Sequence, residues 1–378
     1  MAPYSSFDNP SIMVVWLYDF FCAHSVAAGE GSRGLMLRAL LAGLGLLLAA
    51  LAAGTPTINW LRSRFIEPIK SASHKLDELH RAKQSTPTMG GLFLIAGVVI
   101  AVLALADAQN RYVLLGLAVT LGLAMLGAID DLIKLRTTSA GLGWRAKLSG
   151  QLAVALPAAI CLAKWRSESS LWLAIPWLTL VIVGSSNAVN ITDGLDGLAA
   201  GCLLLATLAT SCAIFAQADP ANAELIVVAA ATIGGLLGFL WFNRHPARVF
   251  MGNVGSLPLG GLLGVLAAAT GQELLLIVSG GVFVAEAASV LLQIGAFRWF
   301  HKRIFRCAPL HHHFEFLGWT ERRVVARFWG AAALCAVCAV AIVSFGSRHR
   351  VAQSGDAQVV ARSERAIEVH VAKPVLRR

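Results

Sequence analysis

The sequence predicts an all-α integral membrane protein of about ten transmembrane helices, with its polar chemistry gathered on the loops of one face. Composition sets the class: of 378 residues, 57% are hydrophobic and only 14% are charged. The mean hydropathy of +0.69 lies far outside soluble usage. Spacing supports it, because apolar runs recur from end to end, each close to the roughly 20 residues a helix needs to cross about 30 Å of hydrocarbon. Length alone would suggest two or three soluble domains, but runs distributed this evenly read as one polytopic domain.

Taken in order, residues 1–33 form an N-terminal interfacial segment. Ile12 to Phe21 is apolar and aromatic but short, and no Lys or Arg precedes it. It therefore lacks the basic start of a signal peptide and reads as a helix lying in the interface. The polytopic domain covers 34–346, with spans expected near 34–60, 89–106, 112–129, 147–163, 171–187, 197–217, 223–242, 255–270, 273–296 and 326–346. Gly260, Gly261 and Gly264 lower the helix propensity of the eighth. Small residues are nonetheless common where membrane helices pack closely. Residues 347–378, rich in Arg, Ser and Gln, read as a polar tail, disordered or lying on the surface.

A net charge of +10 raises nucleic acid as a partner. The Lys and Arg sit between apolar runs, however, where membrane orientation and anionic lipid account for them, so no nucleic-acid partner is expected. The seven cysteines fall mostly inside apolar segments without ligand-like neighbours and read as small buried hydrophobes. Cys335 and Cys338 form a C-x-x-C, but on an apolar helix where a redox role is not expected.

Alternate loops differ sharply in basic residues. One set carries six Lys or Arg between 62 and 83, four between 134 and 147, two at 244 and 248, and seven between 298 and 327. The other set carries Arg33, Arg111, Lys164 and Arg166. Positive charge marks the cytoplasmic side, so the first set is assigned there and both termini outside. The tail holds seven further Lys or Arg and runs against this assignment, but charge beyond a last span orients less strongly than charge between spans.

Every polar cluster falls on the basic set of loops. Asp130 and Asp131 close the third span as adjacent carboxylates, with Lys134 one helical turn on. Like charges side by side persist beside a cation, although a solvated acidic helix end is the plain alternative. Between the fifth and sixth spans, Asn187 to Gly197 is dense in amide, hydroxyl and carboxylate groups. Such groups are costly near lipid without partners. Their spacing does not match a twelve-residue calcium loop, and a nucleotide or sugar site is the better reading. The eighth span opens with Phe250, Met251, Gly252 and Asn253, where glycines free backbone N–H groups for an anion. Phe250 could stack on a base or simply pack. Upstream, Lys83 to Gly91 brings a cation and the Thr88 hydroxyl, although Pro87 near a first helical turn explains much of that run. Three consecutive histidines, His311, His312 and His313, cannot all point one way on a helix, which argues against a three-histidine zinc site and for one or two facing a phosphate pocket.

In these motifs the chain resembles the polyprenyl-phosphate N-acetylhexosamine-1-phosphate transferase superfamily, over roughly 34–346. The carriers are TPTMGG at Thr86 to Gly91, the Asp130 and Asp131 pair, NAVNITDGLDGLA from Asn187, FMGNVGSL from Phe250 and PLHHHFE from Pro309. The histidine run favours the phospho-N-acetylmuramoyl-pentapeptide branch over the N-acetylglucosamine branch. What the resemblance implies is transfer of phospho-N-acetylmuramoyl-pentapeptide from a UDP carrier to undecaprenyl phosphate, giving lipid I and UMP for peptidoglycan synthesis. The expected setting is the bacterial inner membrane, with the active site facing the cytoplasm and Mg2+ as cofactor. By the same resemblance Asp130, Asp131 and His312 are catalytic, and Asp130, Asp131 and Asn253 hold the metal. Asn190, Asp193, Asp196 and Phe250 hold the uridine side, and Lys83, Thr88, Lys134, Asn187, His311 and His313 also contact substrate. A homodimer is left open.

One departure stands out: the family pattern has Asp where this chain has Asn253. An amide oxygen can ligate magnesium, but the change removes a negative charge from a hard-cation site. Two alternatives follow, a non-catalytic paralogue that binds nucleotide-sugar or lipid phosphate, and an N-acetylglucosamine-1-phosphate transferase. A transporter would place polar groups in broken helices at mid-bilayer, whereas these gather at one interface.

Overall fold

The computed structural model describes residues 30–66, 83, 85–137, 141–217 and 219–371, with side chains described within 33–346. The expected interfacial helix at Ile12 to Phe21 lies outside the described residues. Twelve α-helices follow in order: α1 (Glu30–Arg62), α2 (Gly91–Leu105), α3 (Arg111–Arg136), α4 (Trp144–Trp165), α5 (Leu171–Thr192), α6 (Leu198–Gln217), α7 (Leu225–Asn243), α8 (Asn253–Ala269), α9 (Glu273–Ser279), α10 (Gly281–Phe300), α11 (Leu310–Phe316) and α12 (Glu321–Val371). The only pairing outside helices among the described residues is an isolated antiparallel bridge, Ile66 to Pro87. The chain is thus an all-α, multi-pass membrane protein.

Among the described residues, eight helices are long and apolar enough to cross a bilayer: α1, α3, α4, α5, α6, α7, α10 and the part of α12 up to Gly346. Two more are apolar but shorter, α2 at 15 residues and α8 at 17. Leu40, Ile100, Met125, Leu180, Leu291 and Leu334 are each more than 60% exposed, so the outward faces of these helices form an apolar belt suited to lipid. Beyond Gly346, α12 continues as helix to Val371, through most of the segment read above as a tail.

The span expected at 273–296 is instead two helices. α9 ends at Ser279 and α10 begins at Gly281, with Gly280 (φ −93°, ψ 19°) between them. Two consecutive glycines carry the weakest helix propensity short of proline. Glu273, at the start of α9, is held by Arg166 beyond the end of α4, while Arg166 also donates to the Ala268 carbonyl at 2.7 Å. The first turn is therefore anchored to α4 and α8, and Gly280 separates it from α10.

α8 is the inner rod of the bundle, packed mainly against α3 and α5, and all of its residues are buried. Small side chains permit this: a Cβ on Gly260 would lie 2.6 Å from the Ser185 carbonyl oxygen, and one on Gly264 would lie 2.3 Å from Ser185 Oγ. Gly127 on α3 matters most for the site, because its Cβ position lies 2.3 Å from the backbone oxygen of Asn253. This close approach sets Asp130 and Asp131, about one turn further on, against the start of α8. Gly127→Ala must push those backbones apart. It is expected to cost about 1–3 kcal/mol, read as a lowered unfolding midpoint in detergent, with a loss of activity out of proportion to the loss of folded protein.

Candidate active site

At one end of the bundle a cleft of about 440 Å³ opens between segments distant in sequence. Its walls come from the end of α3, the starts of α4 and α8, the turn after α5, the end of α7, the run before α2, and α11. Two of these runs are pinned to each other by backbone hydrogen bonds: Phe250 N–H donates to Pro87 O at 2.8 Å, and Gly90 and Gly91 N–H donate to Phe250 and Met251 carbonyls at 2.8 Å each. That pairing holds Thr88 and Phe250 in the same wall.

Asp130 and Asp131 sit side by side at the bottom, each 2% exposed or less. Asp130 Oδ1 accepts the Leu142 N–H at 2.6 Å, and its Oδ2 lies 2.9 Å from Lys134 Nζ. Asp131 Oδ2 accepts the Val254 N–H at 3.0 Å, in the first turn of α8. Gly252 makes room for that contact: it adopts φ +72°, and a Cβ there would lie 2.7 Å from Asp131 Oδ2. The Asn253 side chain closes the group, its Nδ2 donating to Asp130 Oδ2 and its Oδ1 accepting from Asn190 Nδ2 at 2.6 Å. Asn190 also donates to Ser256 Oγ at 2.8 Å and accepts from Lys147 Nζ at 2.9 Å.

Two carboxylates and one amide oxygen are hard donors of the kind that suits magnesium. Asp130, Asp131 and Asn253 could hold such an ion once the amide of Asn253 turns its oxygen towards Asp130. With only two formal negative charges, and Lys134 beside both, the set is electrostatically lean.

Asp193 caps the end of α5 in the cleft wall. Burial raises its carboxyl to about 7, the charge of Asp131 adding to the rise and Lys134 opposing it. Asp193 is accordingly neutral below that pH and anionic above it. A phosphate-bearing ligand in the cleft would be repelled by the anionic form, so its affinity should weaken as pH rises through about 7. Calorimetric titration from pH 6 to 8 checks this, and Asp193→Asn should flatten the component near 7.

Lys83, Thr88, Lys134, Asn190, Asp193, Asp196, Phe250, Asn253 and His312 thus share one cleft with the two acids. His312 is held at Nδ1 by Glu315 Oε2 at 2.7 Å, which fixes its ring. Three expected contacts are not brought to the cleft lining. Asn187 lies one turn deeper, donating to Gln151 Oε1 and the Val183 carbonyl at 2.9 Å each, and braces α5 against α4. His311 is 1% exposed, with its N–H and Nδ1 at 3.1 and 3.2 Å from Glu286 Oε1. Its Nε2 lies under Gly194, where a Cβ would be 2.4 Å away, so it supports the turn from below. His313 faces the other way, accepting the Arg306 N–H at 3.1 Å and packing edge-on to Phe305 and Phe314.

The structure also adds residues that no motif singled out. Lys147 and Asn243 line the cleft. His245 and Glu321 surround Asp196 from outside it, with His245 Nδ1 at 3.0 Å and Glu321 accepting the Asp196 N–H at 2.7 Å. Each is a lone polar residue at a helix end, and only the preference for cations near acids could have drawn attention to Lys147.

Residues 112–271, from α3 to the end of α8, match the family model described as glycosyl transferase family 4. Over longer spans the chain is similar to curated proteins. It is 38% identical to the phospho-N-acetylmuramoyl-pentapeptide-transferase of Koribacter versatilis over 87% of this chain and 98% of that protein. The chain belongs to the phospho-N-acetylmuramoyl-pentapeptide-transferase family. Proteins of the same name from Nitratidesulfovibrio vulgaris and Desulfosudis oleivorans are 41% and 42% identical over 79% and 69% of this chain. The matched region 112–271 holds both acids, the Asn190 to Asp196 turn and Asn253, whereas Lys83, His312 and Glu321 are supplied from either side of it.

Proposed function

We propose that this transferase moves phospho-N-acetylmuramoyl-pentapeptide from its UDP carrier to undecaprenyl phosphate, forming lipid I and releasing UMP for peptidoglycan synthesis. The observation that carries the reading is the single cleft in which the Asp130 and Asp131 pair meets Lys83, Lys134 and Lys147 at one end of a membrane bundle. An oxygen of the lipid phosphate attacks the phosphorus that bears the sugar, the bond to the UMP oxygen breaks, and UMP leaves with the electron pair. Such a transfer calls for positioning and charge neutralisation above all. Lys134 and Lys147 offset phosphate charge, Asp130 or Asp131 orients or deprotonates the attacking group, and His312 borders the reacting centre. Asn190, Asp193, Asp196 and Phe250 supply the wall for the uridine end. Magnesium, when bound at Asp130, Asp131 and Asn253, would neutralise the pyrophosphate.

The cleft-forming segments belong to the basic loops, which supports a cytoplasmic active site in the bacterial inner membrane. Arg111 and Arg166, from the sparsely charged set, line a separate recess with the ends of α6 and α8. The test is purified protein in nanodiscs with UDP-N-acetylmuramoyl-pentapeptide, undecaprenyl phosphate and magnesium. UMP and lipid I should appear together, and UDP-N-acetylglucosamine should not replace the donor. Asn253 favours a second reading, a paralogue that binds without turnover; retained donor binding with no UMP would select it.

A further inference from the structure

Lys83 sits outside the acid pair in a knot of four side chains, with Asp196, Glu321 and His245. Its Nζ lies 2.7 Å from Asp196 Oδ1 and 2.5 Å from Glu321 Oε1. The same Glu321 oxygen accepts the Asp196 N–H at 2.7 Å, so one carboxylate at the first turn of α12 grips both the lysine and the turn after α5. Asp196 Oδ2 accepts the Ala247 N–H at 3.0 Å, and His245 Nδ1 lies 3.0 Å from that oxygen and 3.2 Å from Glu321 Oε2. Four acid-to-base distances between 2.5 and 3.2 Å, around an Asp196 side chain that is 2% exposed, make a constrained arrangement, not a solvated pair.

The chemistry of the knot restricts what Lys83 can do. An ammonium has three N–H donors; two are spent on Asp196 and Glu321, and Lys83 lines the cleft with the remainder. Two carboxylates alone would repel each other, and His245 Nδ1 lies 3.0 and 3.2 Å from an oxygen of each, where a proton on that nitrogen would bridge them. Flexible lysines lose much rotamer freedom on binding a ligand, and a tethered one has lost it beforehand.

We infer that Glu321 is a positioning residue for nucleotide binding: with His245 as its clasp to Asp196, it fixes Lys83 so that a single N–H donor faces the ligand. This rests on the transferase reading above. Glu321 itself does not line the cleft, so it acts through the amine.

The experiment compares the unsubstituted protein with Glu321→Gln, Lys83→Ala and the double variant in nanodiscs. Glu321→Gln should raise KM for the UDP donor about tenfold, with kcat within about threefold and KM for undecaprenyl phosphate unchanged. In the Lys83→Ala background the same substitution should add less than about twofold, because the two act as a unit. Acetylation of Lys83 by acetic anhydride without substrate, read by mass spectrometry, should rise in Glu321→Gln. A full further tenfold effect on top of Lys83→Ala, an equal effect on the lipid substrate, or unchanged acetylation overturns the inference. Absence of turnover in the unsubstituted protein would count against the transferase reading instead, and acetylation would still test the grip of Glu321 on Lys83.

Discussion

Asn253→Asp should tighten magnesium binding about ten- to a hundredfold, measured by calorimetry or by manganese displacement without substrate. In the native chain the Asn253 amide donates to Asp130, so the acids are satisfied by neutral donors and by Lys134 without any ion. A carboxylate at 253 would lie against Asp130 with nothing to donate, and close like charges are relieved by a cation. The variant should therefore unfold earlier than the native protein in EDTA and gain more from added magnesium. Equal magnesium affinities in the two proteins would sink the account of a charge-deficient site. The Asn190 contact to Asn253 Oδ1 is retained, since a carboxylate oxygen accepts the same N–H.

Asp131→Asn carries the largest expected loss, about a thousandfold or more in kcat, with donor binding changed only a few-fold. The replacement keeps shape, and its amide oxygen can still accept the Val254 N–H, so folding should survive. What disappears is one of two charges in the cleft that Lys83, Lys134 and Lys147 line, with Lys134 directly beside it. Steady-state UMP release alongside donor binding separates the two effects. A variant with unchanged kcat would remove Asp131 from the chemistry.

Much of this was legible in the chain, for identifiable reasons. Hydrocarbon thickness dictates span length, so α3, α5, α6 and α7 stand out as apolar runs, and desolvation cost marks polar groups such as Asp130, Asp193 and Asn253 at their ends. Apolarity does not distinguish a lipid-facing helix from one enclosed by protein, and for α8 only Gly260, Gly261 and Gly264 point to close packing. Likewise, the run 273–296 is apolar enough to span, and only Gly280 and Gly281 mark the break. Successive helical residues point about 100° apart, which is why His312 reaches the cleft while His311 and His313 turn away. Asn187 belongs to the same polar motif as Asn190 but sits a turn deeper, where a partner on α4 engages it. Glu321, His245 and Lys147 join the site only because helices far apart in sequence converge there.

The enclosure of α8 bears on how the cleft meets its surroundings. A helix with a lipid-facing row tilts or stretches when acyl chains lengthen. One touched by protein on every side has no such freedom, so the place of Asn253 against Asp130 is set by neighbouring side chains and not by leaflet thickness. The floor of the pocket is thereby mechanically insulated, and membranes of different composition leave it in the same place.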